Sequence, residues 1–245
     1  MASGPSPYLE CVASIASTNG EMLARLSRGE TVGEGAWLIA DRQTAGRGRL
    51  GRNWQDGAGN FMGSTVVALR GSDPVPHTLA LVAGVAVHSA VAGLAPDAML
   101  KWPNDLLVGG AKLAGLLLER QGDCIVIGVG VNLASAPELP DRATVSLAEL
   151  GVAVERDAFA ADLASRLAAE LAIWRSAGLT ETLARWTARG PRIGARIAAN
   201  PHGDERLTGT YRGLDPEGGL LMRLDTGAIR AIHAGEVELV RPEED

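Results

Sequence analysis

Cysteine is scarce in this chain: only Cys11 and Cys124 occur in 245 residues, and neither stands in a CxxC or metal-ligand spacing. Both lie in apolar, strand-like runs, where a buried free thiol is the default, and the usage fits a reducing cytoplasm. Long apolar runs are missing too. Nothing reaches the ~18 residues of a membrane span, and Met1 to Pro7 holds no basic region followed by an apolar stretch, so neither a transmembrane helix nor a signal peptide is expected. The familiar chemical signatures are also absent: no GxxxxGK[ST] loop, no HExxH, no GxSxG and no GxGxxG followed by a helix. P-loop ATPase, zinc protease and serine hydrolase readings therefore lack their parts, and any nucleotide must be held in another way. The formal net charge is −6, with no long basic segment, which disfavours non-specific nucleic-acid binding.

Against that acidic background one stretch stands out. Gly46-Arg47-Gly48-Arg49-Leu50-Gly51-Arg52 packs three arginines and three glycines together, with Arg42 upstream and no acid between Asp41 and Asp56. Arginine offers a permanent charge and a planar fork of donors, and glycine lets backbone N–H groups approach a ligand. The stretch is a candidate lid over a phosphate-bearing molecule. Its glycines add conformational freedom and its like charges repel, so it is expected to order only when an anion arrives.

A composition that is 46% hydrophobic supplies a sizeable core, for one large domain or a main domain with a small one. Tyr8 to Val12 alternates like a strand, and Asn19 can cap a helix through Ser27 with Met22, Leu23 and Leu26 on one face. Ala36 to Ala40 and Asn60 to Leu69 read as strands that hold the basic loop between them, with Met62, Ser64 and Val66 on one face. Leu79 to Leu94 has helical spacing. Met99 to Trp102, Leu106 to Val108, Lys112 to Glu119 and Ile125 to Val131 read as strands, with a Gly109-Gly110 hairpin turn. Asp157 to Ala177 and Leu179 to Arg189 follow as helices, ended by Gly190-Pro191. The tail then changes to short alternating segments, the pattern of a small barrel, closed by an acidic Pro242 to Asp245. The expected architecture is α+β: a mixed sheet with helices on one face over 1–190, and a small C-terminal β-barrel over 191–245.

The basic loop is followed by Lys101-Trp102-Pro103-Asn104-Asp105 and by Lys112-Leu113-Ala114-Gly115-Leu116-Leu117-Leu118-Glu119, with Ser17-Thr18-Asn19 before them and Gly128-Val129-Gly130-Val131-Asn132 after. In these motifs, their order and their spacing, the chain resembles the biotin–protein ligases. The resemblance covers about Ser14 to Asn132 and continues more weakly into a tail similar to that family's SH3-like domain. It implies an enzyme that makes biotinyl-5′-AMP and pyrophosphate from biotin and ATP, then passes the biotin to a lysine of a biotin carboxyl carrier domain. By the same resemblance, Ser17, Thr18 and Asn19 bind the ureido ring of biotin. Gln43, Gly46, Arg47, Gly48, Arg49 and Gly115 line the biotin end. Lys112 contacts the biotin carboxylate and acyl-phosphate oxygens, Arg49 retains the adenylate, and Arg47, Arg49, Arg52, Asn104, Lys112 and Asn132 approach the nucleotide.

The residues read on their own leave alternatives. Lys112 opens an otherwise apolar strand, an unusual place for a charge unless an anion faces it. Asp105 is a candidate ligand for Mg²⁺, which takes one or two carboxylates plus phosphate oxygens, or else a turn cap after Pro103. Trp54 either stacks on adenine or anchors the end of the loop. Ser17 to Asn19 also read as a helix N-cap. With its first strand near Tyr8, the chain leaves no room for the winged helix-turn-helix of some family members, so no sequence-specific DNA binding is expected; the oligomeric state is open. The rival readings are a lipoate–protein ligase and a noncatalytic acyl-adenylate sensor.

Overall fold

The computed structural model describes residues 8–201 and 205–240. The expectations for Met1 to Pro7 and for the Pro242 to Asp245 tail lie outside the described residues. The chain opens with β1 (Leu9–Val12), α1 (Thr18–Ser27), β2 (Trp37–Ala40) and β3 (Phe61–Ala68). It continues through α2 (Leu79–Val91), β4 (Met99–Lys101), β5 (Asp105–Val108), β6 (Ala111–Gln121) and β7 (Cys124–Val131). These strands form a seven-stranded sheet in the order β1-β2-β3-β7-β6-β5-β4. The β1–β2 pair is parallel and the remaining pairs are antiparallel, which makes the sheet mixed as expected.

Alternation along the central strands separates two faces. Ile125, Ile127, Val129 and Val131 of β7, with Trp37, Ile39, Phe61 and Val67, point into the main core. The helices over that core are α2, α3 (Arg156–Ser176) and α4 (Gly178–Thr187). Because α2 lies between the sheet and the other two helices, it is apolar nearly all round, and ten of its thirteen residues are buried. The opposite face carries α1 alone, whose Met22 packs with Leu38, Val66 and Val126 in a cluster of four buried residues. The expectation of helices on one face therefore holds for α2, α3 and α4 but not for α1: its helical spacing gave it an apolar face, and tertiary packing, which spacing does not encode, sets that face against the other side of the sheet.

Beyond α4 come β8 (Arg196–Asn200), β9 (Leu207–Leu214), β10 (Leu220–Leu224), β11 (Ile229–Ile232) and β12 (Glu236–Leu239). They form an antiparallel sheet in the order β11-β10-β9-β8-β12, and the two outer strands do not pair with each other. The expected small β unit is present as an open sheet rather than a closed ring. Trp102 fastens it to the first sheet, its indole Nε1 donating to the Gly218 carbonyl at 3.1 Å.

Two local expectations are corrected. The cap of α1 is Ser17, whose hydroxyl accepts from the Gly20 N–H at 3.2 Å, while Asn19 lies inside the helix and is free for tertiary contacts. The cysteines are both free, but Cys11 is exposed and Cys124 half-buried. Cys11 lies on an edge strand, where an apolar run does not ensure burial. The Gly109-Gly110 turn holds: both residues have positive φ, 60° and 86°, which the tight β5–β6 connection requires.

Candidate active site

On the α1 side of the sheet, β6 and β7 carry glycine where side chains would stand. A methyl group on Gly128 would lie 2.5 Å from Asn19 Oδ1, and one on Gly130 would lie 2.4 Å from the Trp54 ring. At Gly115 the clash would be with Lys112 Nζ, at 2.8 Å. This bare floor opens a cavity of about 1050 Å³ roofed by the basic loop. Every site residue singled out from the sequence lines it except Gly46, which packs under the loop, where a Cβ would meet the Trp54 carbonyl oxygen at 2.5 Å.

One end of the cavity is a buried polar chain. The Thr18 N–H donates to Gln43 Oε1 at 2.8 Å, with the Thr18 hydroxyl 3.1 Å from the same oxygen and 2.7 Å from Ser64 Oγ. Ser64 Oγ donates to Asn19 Oδ1 at 2.7 Å, and Asn19 Nδ2 donates to Glu119 Oε2 at 2.9 Å. Ser64 and Glu119 were not foreseen as site residues. Alternation had put Ser64 on one face with Met62 and Val66, and a hydroxyl between two apolar residues on that face was the available signal.

The other end is a charge cluster. Lys112 Nζ lies 2.6 Å from Asp105 Oδ1, and Lys101 Nζ lies 3.3 Å from Asp105 Oδ2. Asp105 therefore supplies the anion that Lys112 called for, at the start of β5 and opposite Gly115 of β6. Burial favours the protonated form of the Asp105 carboxyl, but Lys112 and Lys101 outweigh it and hold the group below its ordinary value. The Lys112 backbone is clamped as well. Its N–H donates to the Ala143 carbonyl at 2.9 Å and its carbonyl accepts from the Val145 N–H at 3.0 Å. The Asn132 amide group donates to the carbonyls of Lys112 (3.3 Å) and Val145 (3.1 Å), so its donors serve the backbone around the lysine.

The arginines of the loop are not left to repel one another, contrary to the sequence-based expectation. Arg42 pairs with Asp56, Arg47 with Glu119 at 2.8 Å, and Arg52 with Glu236 of β12, where the Arg52 Nη2 to Glu236 Oε2 bond is 2.8 Å. Arg49 differs. Its guanidinium donates only to neutral acceptors, Asn104 Oδ1 at 2.9 Å and the Gly235 carbonyl at 3.3 Å, and among the described residues it pairs with no carboxylate. Burial pulls its pKa down from the ordinary arginine value, offset in part by the more distant Asp105 and Glu236. Asn104 also donates to the Leu116 carbonyl at 2.7 Å, which fixes its oxygen toward Arg49. Between loop and floor lies Trp54, its ring centre 5.9 Å from Lys112 Nζ and its Nε1 buried without a hydrogen-bond partner among the described residues. The loop tip, Leu50, has φ 56° and is 73% exposed.

The Mg²⁺ expectation for Asp105 does not fit this donor set. Its single carboxylate is already neutralised by two ammonium groups, and among the described residues no three His, Cys, Asp or Glu side chains converge.

Comparisons with known proteins agree with the geometry. Residues 12–132 match the Biotin/lipoate A/B protein ligase family, and residues 193–240 match the Biotin protein ligase C terminal domain. The chain is 39% identical over 240 residues to a biotin–[acetyl-CoA-carboxylase] ligase of Mycobacterium tuberculosis, covering 95% of this chain and 89% of that one. It is 37% identical over 235 residues to the enzyme of that name from Paracoccus denitrificans, covering 90% and 96%. Among solved structures, the biotin protein ligase of Aquifex aeolicus in complex with biotin and ATP superposes with a TM-score of 0.83 at 28% identity, over 96% of this chain and 99% of that one.

Proposed function

The chain belongs to the biotin protein ligase family, and from that premise we propose which of its residues carry each step. The enzyme activates biotin with ATP to biotinyl-5′-AMP and pyrophosphate, and then transfers biotin to a lysine of a carrier domain. In the first step a biotin carboxylate oxygen attacks the α-phosphorus, an acyl–phosphate bond forms and pyrophosphate leaves. In the second the amine of the carrier lysine attacks the acyl carbon, an amide bond forms and AMP leaves.

We assign the ureido ring to Ser17, Thr18, Asn19 and Gln43, because its carbonyl and two N–H groups need matched polar partners and the buried chain supplies them. The carboxylate then points along the glycine floor toward Lys112. Lys112, with Lys101 beside it, neutralises the charge that builds on the reacting oxygens. The loop over 44–57 closes on the anhydride and excludes water. Arg49 is the clamp on the intermediate, since among the described residues it is the loop arginine without a carboxylate of its own. Gly46, Gly48 and Gly115 permit close approach, Arg52, Asn104 and Asn132 border the nucleotide, and Trp54 offers its face to the base. Mg²⁺ accompanies the ATP phosphates, and no step is assigned to a protein-held ion.

The observation that carries this reading is the placement of the Lys112–Asp105–Lys101 cluster and the Ser64-centred chain at opposite ends of one glycine-floored cavity. We read the chain as a catalytic domain over 1–190 and a C-terminal domain over 191–245, supported by the change of sheet between β7 and β8. The carrier is a biotin carboxyl carrier domain of a carboxylase. A cytoplasmic site fits the two free thiols, and no helix among the described residues is long and apolar enough to cross a membrane. The net charge of −6 supports the absence of DNA binding.

Incubation with ATP, Mg²⁺ and biotin, lipoate or octanoate in parallel tests the assignment. Pyrophosphate release and labelling of a carrier domain are expected with biotin alone. Equal turnover with lipoate would overturn the biotin reading, and binding without pyrophosphate release would favour a sensor.

A further inference from the structure

Glu119 stands on the cavity face of β6, four residues beyond Gly115, and both of its oxygens are taken. Oε1 accepts from Arg47 Nη2 at 2.8 Å and Oε2 accepts from Asn19 Nδ2 at 2.9 Å. One carboxylate thus joins the lid to α1, two elements that no other side-chain bond from Arg47 or Asn19 links. It also sets a direction. A carboxylate offers only acceptors, so Asn19 must turn its NH₂ toward Glu119 and its Oδ1 toward Ser64. Ser64 then spends its single hydroxyl proton on Asn19 Oδ1, and the 2.7 Å contact with Thr18 requires Thr18 to be the donor. The Thr18 hydroxyl proton is spent in turn, chiefly on Ser64 Oγ at 2.7 Å with Gln43 Oε1 as the longer second acceptor at 3.1 Å, and Gln43 Oε1 has the Thr18 N–H as its shorter donor at 2.8 Å. From the Thr18 hydroxyl through Ser64 and Asn19 the side-chain protons run toward Glu119, so the two hydroxyl oxygens are left with accepting capacity, which matches N–H donors on a ligand.

We propose that Glu119 is a positioning residue for the ligase: it fixes the hydrogen-bond polarity of the ring site and holds Arg47 of the lid over the same end. The inference rests on the biotin reading above. It separates Glu119 from Lys112, which lies at the other end of the cavity and acts on the phosphate.

Steady-state kinetics of Glu119→Gln on the full chain test it, with pyrophosphate release as the readout and biotin and ATP varied in turn. The amide keeps the shape of the side chain, loses the charge on Arg47 and lets Asn19 turn over. The KM for biotin is expected to rise roughly tenfold, while the KM for ATP and kcat at saturating biotin stay within about twofold. Glu119→Asp, which keeps the charge, recovers part of the loss. In an Arg47→Met background, Glu119→Gln is expected to raise the biotin KM by a smaller factor than in the wild type, because half of its role is already gone. An unchanged biotin KM, equal shifts for both substrates, or full additivity with Arg47→Met would overturn the proposal. A wild-type chain that releases no pyrophosphate with biotin would instead defeat the ligase reading itself.

Discussion

Replacing Lys112 with alanine should do two separable things. The first is to stability. Asp105 and Lys112 keep only 11% and 17% of their side-chain surfaces exposed, and their charges meet at 2.6 Å. Deleting one partner of a buried pair costs about 3–5 kcal/mol. Lys101 remains on the other oxygen at 3.3 Å, so the expected loss is nearer ~2 kcal/mol. For a chain of this size that lowers the melting temperature by about 4–8 °C. The second effect is on chemistry: an oriented charge facing the reacting oxygens is worth on the order of 3 kcal/mol or more, a loss of about 100-fold or more in biotin-dependent pyrophosphate release. The Lys112→Ala, Asp105→Asn double variant distinguishes the two. Removing the carboxylate, which Lys112→Ala leaves with Lys101 alone, should return part of the stability and none of the activity. Calorimetry and a pyrophosphate assay on the same preparations suffice. Near-normal release by folded Lys112→Ala would refute the catalytic assignment, and an unshifted melting temperature would refute the ion-pair reasoning.

Arg49→Gly should form the adenylate but release it, labelling exposed lysines of unrelated proteins; labelling confined to the carrier at the wild-type rate would contradict this. Gly130→Ala forces Trp54 off the floor, since the new methyl would lie 2.4 Å from its ring, and calorimetric titration should show biotin binding at least about tenfold weaker with little change in melting temperature. Amide exchange over 44–57 should slow when a non-hydrolysable biotinyl-AMP analogue is added; equal protection in both states would mean a rigid roof rather than a lid. The pH dependence has a definite sign. Because the folded pKa of Asp105 is held below its ordinary value, its contribution is present above about pH 4 and is lost as pH falls through the depressed value. The stability gap between wild type and Asp105→Asn should therefore narrow in acid, as read from denaturant midpoints between about pH 2 and 7.

What could be read along the chain was what depends on near neighbours. The period-two strands, the Gly109-Gly110 turn and the amphipathic α3 each carry their instructions within a few residues, and the loop announces itself by composition. That an anion faces Lys112 was legible because a charge in an apolar strand demands a partner. Its identity was not, because the β5–β6 register decides that Asp105 is that partner. Glu119 and Glu236 escaped for a similar reason: a carboxylate at a strand end or in an outer strand looks solvated until tertiary structure brings Arg47 or Arg52 to it. Cys11 was misplaced because an apolar run says nothing of whether its strand lies at a sheet edge. The small C-terminal sheet was visible as five short strands, but whether its edges meet is a matter of pairing, which alternation alone does not encode.

The glycine floor has a thermodynamic side. One face of the large sheet is sealed by three helices and a continuous apolar core, while the other owns a cluster of four buried residues beside a cavity of about 1050 Å³. At Gly115, Gly128 and Gly130 the chain forgoes the side chains that would have filled that face. On the assignment proposed above, a bicyclic ring seated there would take the place of the missing residues, with apolar surface leaving water on both sides of the contact. Substrate is in this sense the last layer of the fold. The folded state gains stability with ligand concentration by mass action, and the empty enzyme is a protein short of part of its interior.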